Sequence, residues 1–133
     1  NPIRQVGKGK RVIVVDDSIV RGNTAKSRVK LLRAAGATEV HMRISCPPHL
    51  WPCYYGIDFP SKAELIASNM KIEEIKKYLD VDSIGYLSLE GMLRATGKDP
   101  KDFCAACFDG KYPTQITDEV DKLKLEKKTS LFA

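Results

Sequence analysis

Four consecutive apolar residues, Val12-Ile13-Val14-Val15, run straight into a pair of carboxylates, Asp16 and Asp17, and eight residues after Asp16 the chain reaches Thr24 and turns helical. A β-branched run without alternation is the pattern of a parallel strand covered on both faces. From Thr24 to Ala35 the spacing predicts a helix: Ala25, Val29, Leu32 and Ala35 share one face, while Lys26, Arg28, Lys30 and Arg33 point away from it. Gly36 supplies the C-terminal stop. Residues 39–45 then alternate, with Val40, Met42 and Ile44 on one side and His41, Arg43 and Ser45 on the other. Strand, helix and strand in so short a span make a βαβ unit with a right-handed crossover, so the fold class is α/β with a parallel sheet.

The remainder is less regular. Pro47, Pro48 and Pro52 predict an irregular loop over 46–60 that carries Trp51, Cys53, Tyr54 and Tyr55. Ser61-Lys-Ala-Glu64 reads as a capping box opening a helix through Ser68, and Asn69 as the cap of the next, whose Ile72, Ile75 and Leu79 fall at helical spacing. Ile84–Leu87 is expected to be a short strand and Ser88–Ala95 a short helix. Residues 98–114 are expected to be loop with Cys104-Ala-Ala-Cys107 in its middle, and the Lys/Glu-rich segment after Ile116 a frayed helix or a disordered tail. This divides the chain into 1–50, the βαβ part; 51–116, a helical and loop-rich region; and 117–133, a tail. No internal repeat is present.

Charge is unevenly placed. Residues 1–33 hold nine Lys/Arg against Asp16 and Asp17, a net of +7, and residues 34–133 hold thirteen bases and fifteen acids, a net of −2, together the +5 of the 133-residue chain. With 43% hydrophobic and 29% charged residues the composition is globular, and no apolar run approaches the ~18 residues of a membrane span. No signal peptide pattern opens the sequence, and a cytoplasmic location is expected. The aromatic–basic interleaving of a nucleic-acid surface is missing from 34–133, so no nucleic-acid or membrane partner is expected.

Ligands of open parallel sheets bind beyond the carboxyl ends of the strands, where Asp16 and Asp17 emerge. Two adjacent carboxylates accept hydrogen bonds from neighbouring hydroxyls, as on a ribose, or help hold a hydrated Mg²⁺. Ser18 and Thr24 add hydroxyls, Gly22 permits close backbone approach, and the helix N-terminus favours an anion. A ribose 5-phosphate has these two features at this separation. A receiver domain is a distant alternative, since Asp58 comes 41 residues after Asp17 and Lys111 comes 53 after Asp58. Asp58 follows Pro52, Cys53 and Gly56 in an aromatic loop, however, where a receiver needs a buried strand. The four cysteines, two of them in a C-x-x-C, argue for metal or redox chemistry over disulfides. Their spacing suits an iron–sulfur cluster better than structural zinc, with Cys46 an inert buried thiol. His41 is expected at an exposed strand position and His49 in a loop, while Trp51, Tyr54 and Tyr55 are expected to shield Cys53.

Taken whole, VIVVDDSIVRGNT resembles the phosphoribosyl pyrophosphate (PRPP) motif of type I phosphoribosyltransferases, and its Ser-Ile-Val-Arg-Gly is similar to the version in the glutamine PRPP amidotransferase family. The same family resembles Asn1-Pro-Ile-Arg4, Ile44-Ser-Cys-Pro-Pro48, Pro52-Cys-Tyr-Tyr-Gly-Ile-Asp58, Glu64-Leu-Ile-Ala-Ser68, Leu87-Ser-Leu-Glu-Gly91 and Cys104-Ala-Ala-Cys-Phe-Asp-Gly-Lys-Tyr-Pro113. The resemblance implies the C-terminal part of a type I phosphoribosyltransferase domain with a Rossmann-like parallel sheet, followed by a helical, loop-rich region. It implies PRPP bound by Asp16, Asp17, Ser18, Ile19, Val20, Arg21, Gly22, Asn23 and Thr24, with Mg²⁺ near Asp16 and Asp17. Some bacterial members carry a 4Fe-4S cluster, and the resemblance would make Cys53, Cys104 and Cys107 three of its ligands, the fourth lying upstream of this chain. The implied parent is a homo-oligomer of the first committed step of purine synthesis, with purine nucleotides as feedback ligands. The glutaminase nucleophile is missing here, so the chain is expected to be a fragment that does not turn over alone, with apolar sheet surface left exposed or covered by another copy. A PRPP-sensing regulator of the same fold is the non-enzymatic alternative.

Overall fold

The computed structural model describes residues 7–57 and 61–116. Asn1-Pro-Ile-Arg4, Asp58 and the predicted tail over 117–133 lie outside the described residues. The elements, in chain order, are β1 (Arg11–Asp16), α1 (Asn23–Ala34), β2 (Glu39–Ile44), α2 (Ile66–Asn69), α3 (Ile72–Leu79), β3 (Ser83–Tyr86), α4 (Leu89–Ala95) and α5 (Ala106–Asp109), with 3₁₀ turns at Lys62–Glu64 and Pro100–Asp102. The three strands are all parallel in the order β1-β2-β3, with Val12 opposite Val40, Val14 opposite Met42 and Met42 opposite Ile84. A receiver sheet places its first strand between the second and third. Here β2 holds that place, which removes the receiver alternative.

The predicted alternation of β2 is realised: Val40 and Met42 are wholly buried and Ile44 nearly so, beneath Ala25 and Val29 of α1 and Ile75 and Leu79 of α3. α1 ends as its glycine requires. Gly36, at φ +95°, lets its own N–H reach the Arg33 carbonyl (2.9 Å) and that of Ala37 reach Leu32 (3.1 Å), the paired bonds of a Schellman motif.

β1 departs from the sequence expectation. Val12 and Val14 pack against the core, but Ile13 is 65% and Val15 74% exposed, because β1 is the edge strand among the described residues and its second face is uncovered. The basic face of α1 also differs from the expectation that it points away. Arg28 reaches back to Asp16, Lys26 lies over the Tyr78 ring, and Arg33 donates to the Thr38 and Asp80 carbonyls and to Asp82.

The predicted capping box at Ser61 forms no helix through Ser68. The 3₁₀ turn at Lys62–Glu64 stops at Leu65, which is buried and extended (φ −73°, ψ 114°), and α2 restarts beyond it. Asn69 does not cap α3. Its amide donates to the Ala63 and Leu65 carbonyls, while Lys71 is the cap residue and gives its N–H to Glu74 Oε2 at 2.6 Å. In the predicted 98–114 loop, two short helical turns form, and Cys107 lies within α5. His41 is less exposed than expected, and His49 lies in a loop as expected. His41 is bonded to Ser83 Oγ and Glu39, and His49 is buried against Phe108.

Candidate functional site

The strand period sorts the two carboxylates. Asp16 shares parity with Val12 and Val14 and so faces the helix layer, where Arg28 Nη1 donates to its Oδ2. Asp17, one residue on, is exposed. Its charge acts on the loop after β2: burial pushes the Cys46 thiol up to about 11, with Asp17 adding to the rise, and burial lowers the His49 pKa against the opposing pull of Asp17. The two acids are therefore adjacent in sequence but unequal in role. Asp16 is neutralised in an ion pair and Asp17 is available.

Between Asp17 and α1 the chain is held from behind. Ile19 is a core residue, 3% exposed. The Val20 carbonyl accepts the Ile66 N–H at 2.9 Å, and Arg21 Nε is paired with Glu64 at 2.8 Å. Ser18 is half-buried and Thr24 exposed. Gly22 adopts φ +83° as the cap of α1 and is buried, and a Cβ there would come within 2.8 Å of Ile66 Cδ1 and 3.2 Å of Tyr78 Cε1. Its missing side chain is required by packing against α2 and α3. The close approach inferred from sequence is thus to protein. Lys26 N–H closes the first helical bond onto the Gly22 carbonyl (2.9 Å), leaving the Asn23, Thr24 and Ala25 N–H groups ahead of it. No acid lies in the first turn and no side chain caps it, so the positive end of the helix is uncompensated.

Arg28, Glu64 and Tyr78 join the site without standing out in the sequence. For Arg28 a signal existed, since a carboxylate of core parity at a strand end demands a cation from the covering helix. Glu64 and Tyr78 reach the loop through tertiary packing that no local pattern encodes. The same pairing shrinks the basic excess of residues 1–33, because Arg11, Arg21, Arg28 and Arg33 are all bonded to carboxylates.

The cysteines gather at the other end of the β2 loop. Leu50 and Trp51 N–H groups donate to the Cys107 carbonyl at 3.0 and 3.1 Å, and Tyr112 OH donates to the Pro52 carbonyl, tying the proline-rich loop to the C-x-x-C turn. The Tyr55 backbone N–H donates to Cys53 Sγ at 3.4 Å. Trp51 lies against Gly110 and beneath Lys62. Burial pushes the Cys107 thiol up to about 11, with smaller rises from Cys53, Cys104 and Asp109. Cys46 gives its S–H to the Pro47 carbonyl. Among the described residues no group of three His, Cys, Asp or Glu side chains is arranged to hold a metal ion, so the thiols as placed do not fit a cluster. For Mg²⁺, which keeps much of its water shell, exposed Asp17 is the fitting carboxylate, since Asp16 is occupied by Arg28.

A parallel sheet with an acid pair at the carboxyl end of β1 and a glycine-capped helix directly after it defines the type I phosphoribosyltransferase fold. No family model matches the chain. Among curated proteins it is 55% identical over 125 residues to the amidophosphoribosyltransferase of Synechocystis sp., covering 94% of this chain and 25% of that protein. It is 58% identical over 119 residues to that of Methanocaldococcus jannaschii, covering 90% and 25%. The solved glutamine PRPP amidotransferase from B. subtilis, complexed with ADP and GMP, superposes with a TM-score of 0.81 at 50% identity over 88% of this chain and 27% of its own. A second structure, described as the allosteric regulatory enzyme of purine biosynthesis, gives 0.82 at 49% identity over 88% and 26%. The chain belongs to the amidophosphoribosyltransferase family, and it spans about a quarter of the length of the curated relatives it matches. No helix among the described residues is long and apolar enough to cross a membrane.

Proposed function

We propose that this chain supplies the ribose 5-phosphate portion of the PRPP site of an amidophosphoribosyltransferase, and that its purine-nucleotide ligands enter through the same ribose 5-phosphate group. The reaction of the whole enzyme would be glutamine, PRPP and water giving 5-phosphoribosylamine, glutamate and pyrophosphate. The observation that carries the reading is the uncapped, acid-free N-terminus of α1 lying directly after an exposed carboxylate. The N–H groups of Asn23 to Ala25 are the donors for the 5-phosphate. Asp17 accepts from a ribose hydroxyl and would hold a hydrated Mg²⁺, which would supply charge compensation for the leaving pyrophosphate. Asp16 is fixed by Arg28 and sets the geometry beside it.

In such a reaction ammonia attacks the anomeric carbon as the bond to pyrophosphate breaks, and positive charge builds on the ribose ring. A carboxylate held near that ring stabilises the charge, and a fixed phosphate orients the carbon toward the nucleophile. The residues of this chain bind and orient. Calorimetric titration with PRPP and Mg²⁺ tests the assignment, with Asp17→Asn expected to weaken binding most and Asp16→Asn less. Equal affinity in wild type and both variants would refute it.

A further inference from the structure

The phosphate loop is backed by a residue that lies 55 positions away in sequence. Tyr78, in the last turn of α3, makes two contacts with the start of α1 and leaves no room for a side chain at Gly22. Its hydroxyl donates to Asn23 Oδ1 at 3.1 Å. Its ring carries the Lys26 ammonium 3.8 Å from the centroid. The edge of that ring lies 3.2 Å from where a Gly22 Cβ would stand. Asn23 and Lys26, three apart on a helix, share a face, so one aromatic ring holds both.

We propose that Tyr78 is a positioning residue for the 5-phosphate, acting through Asn23; this rests on the assignment of the α1 N-terminus to that phosphate. A carboxamide is planar, with oxygen and nitrogen on opposite branches. When the tyrosine hydroxyl engages Oδ1, the Nδ2 protons are fixed on the other branch, and no hydrogen bond among the described residues occupies them. Asn23 is the first residue of α1, so this oriented amide adds to the free backbone N–H groups as a further donor to an anion. Without the hydroxyl the amide rotates freely and must be ordered when the phosphate binds, which costs affinity. The Lys26–ring contact keeps a cation against the same turn.

The test is calorimetric titration of the chain with ribose 5-phosphate in wild type, Tyr78→Phe, Asn23→Ala and the double variant. Tyr78→Phe keeps the ring against Gly22 and Lys26 and removes only the hydroxyl. It should weaken binding roughly three- to tenfold, the worth of one oriented hydrogen bond. Asn23→Ala should weaken binding at least as much, and adding Tyr78→Phe to it should change nothing further. A full additive loss in the double variant would mean that the Tyr78 hydroxyl acts by a route other than Asn23 and would overturn the proposal, as would equal affinity of Tyr78→Phe and wild type. In wild type, nitrogen-15 spectra should show the Asn23 side-chain amide moving with the Gly22–Ala25 backbone amides as ribose 5-phosphate is added. Movement of the backbone amides alone would overturn Asn23 as the intermediary. Absence of any binding by wild type would be a different failure, that of the phosphate assignment itself, and the proposal would fall with it.

Discussion

Replacing Gly22 by alanine tests how tightly the phosphate loop is seated. Two costs add. A side chain at φ +83° is in the left-handed region, worth about 1–2 kcal/mol for a residue with a Cβ. The new methyl would also meet Ile66 Cδ1 at 2.8 Å, Tyr78 Cε1 at 3.2 Å and Leu79 Cδ2 at 3.7 Å, and overpacking of this kind costs about 1–3 kcal/mol. The nearest atom is the end of a flexible side chain and can turn aside, whereas the Tyr78 ring is pinned by Asn23 and Lys26. A total of about 3 kcal/mol follows, and at a urea dependence of about 1.5 kcal/mol per molar the unfolding midpoint falls by about 2 M. Gly97→Ala is the internal control, since Gly97 is also left-handed (φ +67°) with nothing within 4 Å of its Cβ position. It should show the backbone cost alone, about 0.7–1.3 M. Ile66→Val, which removes Cδ1, should recover part of the loss in the Gly22→Ala background. Equal midpoint shifts for Gly22→Ala and Gly97→Ala, read by circular dichroism at constant slope, would refute the close approach.

Asp82 gives a pH signature. The Val40 N–H, first, and Arg33 hold its carboxyl below the ordinary value of 3.8, so its contribution is present above that pH and is lost as pH falls through the lower folded value. Asp82→Asn should be less stable than wild type near neutral pH, with the gap closing under acid in urea melts; a gap that stays constant would contradict the assignment. Thiol alkylation followed by peptide mass analysis should find exposed Cys104 modified first and Cys46 last, since Cys46 is buried and its thiol is pushed up to about 11. Labelling of Cys46 as fast as Cys104 would show that the loop after β2 opens readily.

Local periodicity carried the βαβ unit. The Val40-Met42-Ile44 alternation and the Gly36 stop were legible because each is decided within a few residues. For β1 an unbroken apolar run says that both faces suit burial, not that both are covered; Ile13 and Val15 are bare among the described residues, which matches the exposed apolar sheet surface that the resemblance implies. The helix predicted from Ser61 failed because Leu65 is drawn into the core in extended form, and the next N–H, that of Ile66, bonds to Val20 instead of continuing the turn. Tertiary burial outweighed a local cap. At the candidate site the acid pair and the loop were visible in sequence. Their inequality was half visible, through strand parity, and the partners Arg28, Glu64 and Tyr78 were not, because each is brought in by the folding of distant segments.

The bond from the Ile66 N–H to the Val20 carbonyl has a consequence for how this loop can diverge. It joins main chain to main chain, outside any helix or strand ladder, so no exchange of side chains at either position deletes it, proline at 66 excepted. This one bond of the loop's seat is therefore insensitive to side-chain exchange at Val20 and Ile66, unlike the close approach at Gly22. Between the two positions lie α1, β2 and the proline-rich loop, and a change of length there keeps this bond only if it returns Ile66 to the same place.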